Sequence, residues 1–372
     1  MSGERFSVSY LLSGDPDEAR RKAEDICLEQ TVEFPADLVP PGEIRDHIVG
    51  RLEALEKIDE GHHRARISFD VETAAGDLVQ LTNVMYGNIS LKPGIKAESL
   101  ALPAAMLRAF KGPRFGRAGM RSLLNVPVRP LTCTALKPMG LSASELAGQA
   151  YSFALGGIDI VKDDHGITNQ LFSPFAERVQ RCTEAVARAN RETGGRSIYM
   201  ASVTGPVDSL RSRAALAKSS GAGGLLICPF LVGIDSMRAL ADDDGIALPL
   251  MAHPSFGGSF VTSPESGIDH GMLFGQLMRL AGADATVFPN YGGRFSFSRD
   301  ECVRISAYCR EDLREMKPIL PAPGGGMTAD RTKDMLDVYG KDFILLIGAG
   351  LHRLGPDLAK SSAHFRSMLE AL

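Results

Sequence analysis

Residues 156–168 read GGIDIVKDDHGIT, an apolar, β-branched run that ends in one lysine, two acids and a histidine. If Ile158–Val161 open a strand, the two-residue period places Ile158, Ile160, Lys162 and Asp164 on one face, Asp163 opposite and His165 at the exit. A solvated turn after a strand explains one such ending. It does not explain its repetition along the chain. Seven further apolar runs end in polar or Gly-rich turns: RPLTCTALKP (129–138), SIYMASVTG (197–205), GGLLICPF (223–230), LPLMAHPSF (248–256), DATVFPNY (284–291), PILPAPGGG (318–326) and DFILLIGAG (342–350). Helix-like stretches such as SASELAGQAYSFAL and SPFAERVQRCTEAVARANRE lie between them. Eight apolar strands alternating with helices predict a (β/α)8 TIM barrel; the rival, an open doubly wound sheet, fits the even size of the units less well.

The rest of the chain is organised differently. Residues 1–125 mix a strand-like FSVSYLL, a helix-like DPDEARRKAEDICLEQT, an alternating HHRARISFDVE and a further apolar run, LVQLTNVMYG. That mixture predicts an N-terminal α+β domain of the ferredoxin-like kind over 1–125. The Gly-, Arg- and Pro-rich RFGRAGMRSLLNVPVRP then reads as the connection to a barrel over 126–372. At 372 residues, with 44% apolar and 23% charged residues, the composition is that of a soluble globular protein. A net charge of −4 without basic, aromatic-interleaved blocks argues against nucleic acid, and no apolar run approaches the roughly 18 residues of a membrane span. Six cysteines without a CxxC pair point to reduced thiols and a cytoplasmic protein.

The chemistry-bearing residues fall at the carboxyl ends of the expected strands, the face on which barrels carry their active sites. Lys137, Lys162, Asp164, Ser202, Thr204, His253, Asn290 and the glycines 324–326 and 348–350 all lie there. A lysine crowded by Lys137 and desolvated becomes a neutral amine, a base or an acceptor of CO2. As a carbamate it joins Asp164 in holding a hard cation such as Mg²⁺; a structural bridge between Lys162 and an Asp is the bland alternative. His253 is placed to move a proton near neutral pH. The glycine clusters PAPGGGM and LLIGAGL, on adjacent strands, suit a phosphate, and Arg294 in the NYGGR loop suits its closure.

In order along the chain, FKGPRFG, RPLTCTALKPMGLS, GGIDIVKDDHGITNQLFSPFAERV, a strand-end histidine, a GGR loop and two late glycine clusters resemble the ribulose-bisphosphate carboxylase large-chain family. The resemblance implies Mg²⁺-assisted enolisation of a phosphorylated ketose in a homodimer with shared active sites. Lys162 resembles the carbamylated lysine, Asp164 a metal ligand, Lys137 the first active-site lysine, His253 the strand-five histidine and Arg294 the mobile-loop lysine. Glu29 and Asn88 resemble residues lent by the partner subunit; Gly325, Gly326, Ala349 and Gly350 resemble one phosphate site. Four departures stand out: His165 replaces the third metal ligand, a glutamate; KPMG lacks the second lysine of a KPK motif; Pro254 replaces an arginine of the second phosphate site; Val287 replaces its supporting histidine. The chain is therefore similar to the RuBisCO-like proteins. The leading expectation is decarboxylation or carboxyl transfer on a monophosphorylated 3-oxo-isoapionate-type acid. The alternatives are an isomerase or enolase of a 5-methylthioribulose-1-phosphate-type ketose, or a non-catalytic regulatory member.

Overall fold

A computed structural model describes residues 3–370. The chain forms two compact units: residues up to Lys111 with Gly257–Leu273, and Gly112–Phe256 with the residues from Phe274 on. The first unit holds β1 (Arg5–Ser13), β2 (Arg51–Asp59), β3 (His62–Asp70), β4 (Ile95–Ala101) and β10 (Gly267–Ile268), in the order β10-β4-β1-β3-β2. β1 runs antiparallel to both of its neighbours, and β10 joins β4 in parallel. Alternation in RFSVSYLLS buries Phe6, Val8, Tyr10 and Leu12. The helix Pro16–Glu29 buries Ala19, Ala23, Ile26 and Cys27, and the Asp15 carboxylate caps it by accepting the Glu18 N–H at 2.8 Å. LVQLTNVMY is also a helix, Leu78–Tyr86.

In the second unit the eight runs form β5 (Leu131–Leu136), β6 (Ile160–Asp163), β7 (Ile198–Ser202), β8 (Gly224–Ile227), β9 (Leu250–Ala252), β11 (Ala285–Pro289), β12 (Leu320–Gly324) and β13 (Ile344–Leu346). The ladder runs β12-β11-β9-β8-β7-β6-β5-β13, and every pair is parallel. Between β12 and β13 the ring closes by packing: a Cβ on Gly324 would stand 2.8 Å from Leu346 Cδ2. The cause is legible in LPAPG. Leu320 N–H and Gly324 C=O bond toward β11, so in a parallel strand positions 321 and 323 face β13, and both are prolines without an N–H.

Two expectations about the boundary change. The second unit begins at 112, and the segment expected as a connection contains a helix, Gly116–Leu124. Met120 and Leu124 of that helix, with Val126, join Leu131, Cys133, Ile160, Met200, Leu226 and Met251 in one core cluster. Burial of that face outweighs the Gly and Arg content that reads as a linker. Asp284, itself buried, anchors the helix by accepting the N–H groups of Phe115 (2.7 Å), Gly116 (2.6 Å) and Leu250 (2.9 Å). Among the described residues no helix is long and apolar enough to cross a membrane. All six cysteines are buried and unbridged.

Asp284→Ala strands three buried donors, and urea denaturation is expected to show a loss of about 3 kcal/mol or more. Asp284→Asn, which keeps one acceptor oxygen, is expected to lose less.

Candidate active site

Alternation along the barrel strands extends the core cluster directly into a mouth. Two residues beyond the core positions Ile160, Met200, Leu226 and Met251 come Lys162, Ser202, Cys228 and His253, on the same inward faces. Across the ring the corresponding positions are Ala135, Val287, Ala322 and Leu346. At this level the wall is thus polar along β6 to β9 and apolar along β11, β12, β13 and β5, with Lys137 following Ala135 at the end of β5.

Lys162 is 2% exposed, and its ammonium donates to the Asp163 carbonyl at 3.1 Å. Burial pushes its pKa down; Lys137 adds to the shift, while Cys133 and Asp164 oppose it. Asp163 faces the other way, as its odd position requires. It accepts Tyr199 Oη at 2.7 Å, the Ser202 N–H at 2.9 Å and Arg178 Nε at 3.1 Å. Arg178 is wholly buried and also donates to the carbonyls of Thr168 (2.7 Å) and Ser173 (2.9 Å), which fastens the loop after β6 to the strand.

Asp164 pairs with Lys137, not with Lys162: Nζ of Lys137 lies 2.7 Å from its carboxylate. Burial alone would raise the Asp164 pKa, but hydrogen bonds from His165 and Lys137 and the charge of Lys162 hold it well below the usual carboxylate range. His165 Nδ1 stands 3.5 Å from Asp164, and its ring stacks on His253 with centroids 4.2 Å apart and planes 12° from parallel. Burial, Lys162 and His165 together push the His253 pKa well below its ordinary value, so the ring is neutral at pH 7. The Ser255 N–H donates to Nδ1 at 3.3 Å, which assigns the ring proton to Nε2. Behind Lys137, the Gln149 side-chain amide accepts its N–H at 3.1 Å and donates to its carbonyl at 2.5 Å.

The two glycine clusters also meet. Gly325 adopts φ +88°, and its carbonyl accepts the Arg294 N–H at 2.9 Å; a Cβ on Gly350 would lie 2.7 Å from Met327 O. Arg294 itself is exposed, with its guanidinium 5.3 Å from the Phe295 ring. Arg331 holds the same loop from below, donating to Tyr291 O at 2.7 Å. Lys137, Lys162, Asp164, His165 and His253 therefore converge, while Arg294, Gly325, Gly326, Ala349 and Gly350 gather at the neighbouring strand ends. Glu29 and Asn88 pair in the first unit, Asn88 Nδ2 donating to Glu29 at 3.0 Å. Sequence reading missed Arg178, Gln149 and Tyr199; a polar residue at the apolar spacing of a helix was the available signal for the first two.

Residues 116–371 match the model of the ribulose bisphosphate carboxylase large chain, catalytic domain. The chain belongs to that family. It is 40% identical to ribulose bisphosphate carboxylase-like protein 1 of Rhodopseudomonas palustris, over 97% of this chain and 96% of that protein. It is 36% identical to 5-methylthioribulose-1-phosphate isomerase of Rhodospirillum rubrum, over 97% and 95%. A solved Rubisco-like protein from Rhodopseudomonas palustris superposes with a TM-score of 0.90 at 36% identity, covering 98% of this chain and 97% of that one. At its mouth Lys137 and Lys162 flank the carboxylate of Asp164.

Replacing Arg178 by Met leaves the Asp163 carboxylate buried without its cation; calorimetric or urea unfolding is expected to show a loss of about 3–5 kcal/mol, part of it restored in an Asp163→Asn/Arg178→Met double variant. Asp164 has a depressed native pKa, so it contributes stability that is whole above about pH 4 and declines as pH falls toward the native value. Lys137→Met removes part of that contribution. The stability gap between wild type and variant should therefore narrow from pH 6 to pH 3 in urea titrations.

Proposed function

We propose that this protein is an isomerase or enolase acting on a ketose monophosphate of the 5-methylthioribulose-1-phosphate type. The observation that carries the reading is the division of the mouth into a basic, proton-moving arc and an apolar arc beside one glycine-built anion cradle. The resemblance implies a second phosphate at an arginine replaced here by Pro254, with a supporting histidine replaced by Val287, and neither side chain can bind an anion. One phosphate therefore has a counterpart and a second has none. The 36% identity to an isomerase of that substrate favours proton transfer over the decarboxylation expected first from the sequence.

In its amine form Lys162 does not fit a hard cation, and the carboxylate beside it is already tied to Lys137 and His165. Among the described residues no three His, Cys, Asp or Glu side chains converge on a cation site. Addition of CO2 to Lys162 would supply the missing oxygen donors. Lys162, Asp164 and His165 would then hold Mg²⁺, which polarises a substrate carbonyl when bound.

The chain's own groups do the rest. Backbone N–H groups around Gly325, Gly326 and Gly350 bind the phosphate, and Arg294 closes over it. Lys137, fixed by Gln149 and Asp164, presents an ammonium that stabilises charge developing on a carbonyl oxygen. Lys162, as amine or carbamate, takes the proton from carbon and returns it, and His253, neutral with its proton on Nε2, donates a hydrogen bond to the developing enolate oxygen. The apolar arc receives the uncharged end of the ketose and excludes water from it.

The reading is tested with purified protein, Mg²⁺, bicarbonate and 5-methylthioribulose 1-phosphate in D2O. Solvent deuterium should enter the product without loss of carbon. Release of CO2 from a phosphorylated 3-oxo sugar acid, with no turnover of the ketose, would overturn it. Lys162→Met is expected to lower kcat/KM by about 10²–10⁴.

A further inference from the structure

Ser202 is fully buried, and its hydroxyl makes no hydrogen bond. Its backbone N–H is committed to Asp163, so the side chain alone is without a task. The strand hydroxyls of Thr134 and Thr286 also lack partners. Those two alternate with the inward residues Cys133 and Ala285, so they point outward, where the β-branched shape serves packing. Ser202 is different: it follows Met200 on the inward face, and the pairing of Lys162 with Met200 sets it one pleat nearer the mouth than Lys162, level with Asp164. Alanine would fill the same volume at that position. A hydroxyl buried without a partner is a cost that an empty barrel has no reason to carry.

We propose that Ser202 is a ligand-binding residue of the mouth, its hydroxyl reserved for an oxyanion held against Lys162. The inference rests on the barrel-mouth site above and adds a contact that neither the sequence motifs nor the relatives' names assign. Two sources supply that chemistry. One is a carbamate on Lys162 itself: the amine lone pair forms an N–C bond to CO2, one C=O electron pair moves to oxygen, and a proton leaves nitrogen for solvent. The other is the carbonyl or enolate oxygen of the bound ketose phosphate. Both present a negative or polarised oxygen beside the amine, and both accept from Ser202 Oγ.

Ser202→Ala separates this role from a structural one. Without ligand, the variant should melt at the same temperature as wild type or higher, because an unsatisfied polar atom is removed; a lower melting temperature would show that the hydroxyl serves packing and overturns the proposal. Carbamate formation is followed by ¹³C NMR in ¹³C-bicarbonate, with Lys162→Met as the blank. A midpoint moved about three- to tenfold toward higher CO2 in Ser202→Ala assigns the oxygen to the carbamate. An unmoved midpoint with KM for 5-methylthioribulose 1-phosphate raised by the same factor assigns it to the substrate. Ser202→Thr, which restores the hydroxyl, should restore whichever value moved. If neither the carbamate midpoint nor KM differs between wild type and Ser202→Ala, the proposal is wrong. The melting and carbamate measurements need no substrate, so they stand apart from the isomerase assay.

Discussion

The mouth of this barrel depends on a carboxylate that never faces it. Asp163 sits between Lys162 and Asp164, and the pleat sends its side chain outward, between β6, β7 and the helix Phe175–Thr193. There it is fully buried, where each carboxylate oxygen needs a matching donor. Tyr199, Arg178 and the Ser202 N–H provide that match. Because these bonds fix the orientation of residue 163, they fix the opposite orientation of its two neighbours. Lys162 and Asp164 are inward because Asp163 is held outward.

From that constraint follows the electrostatic character of the site. Lys162 enters a dry layer just above Ile160 and level with Met200, where an ammonium is disfavoured. Asp164, one turn of the pleat nearer solvent, is surrounded by Lys137, Lys162 and His165 and remains ionised. His253 is kept neutral first by its burial and then by the neighbouring Lys162, His165 and Lys137. The ends of β6 and β9 thus present an amine, a carboxylate and an uncharged imidazole within the same mouth. On the opposite arc Val287, Ala322 and Leu346 offer no charge at all, and the glycine turns after β12 and β13 lie at the neighbouring strand ends. The proposed ligand, with one phosphate and one uncharged end, would match that distribution.

Much of this was legible in the residue order. The eight apolar runs, their polar endings and the strand period were sufficient for the barrel and for the placement of Lys137, Lys162, Asp164 and His253 at one end of it. LPAPG even contained the reason that β12 and β13 share no ladder, since proline lacks a donor whatever surrounds it. Less legible was RFGRAGMRSLL, whose glycines and arginines suggest a linker. Its helix exists because Met120 and Leu124 bury against strands remote in sequence, and because the Asp284 carboxylate secures its first turn.

Local pattern determined which residues face inward, because side-chain alternation is a property of the backbone alone. The tertiary structure decided who pairs with whom. Asp164 bonds to Lys137 rather than to the lysine two places before it, His165 stacks on His253 from a different strand, and Gln149 and Arg178 reach back from helices to hold strand ends. These partnerships join positions separated by a dozen to nearly ninety residues. Their geometry is set by how strands and helices close around one core, and no local period encodes it.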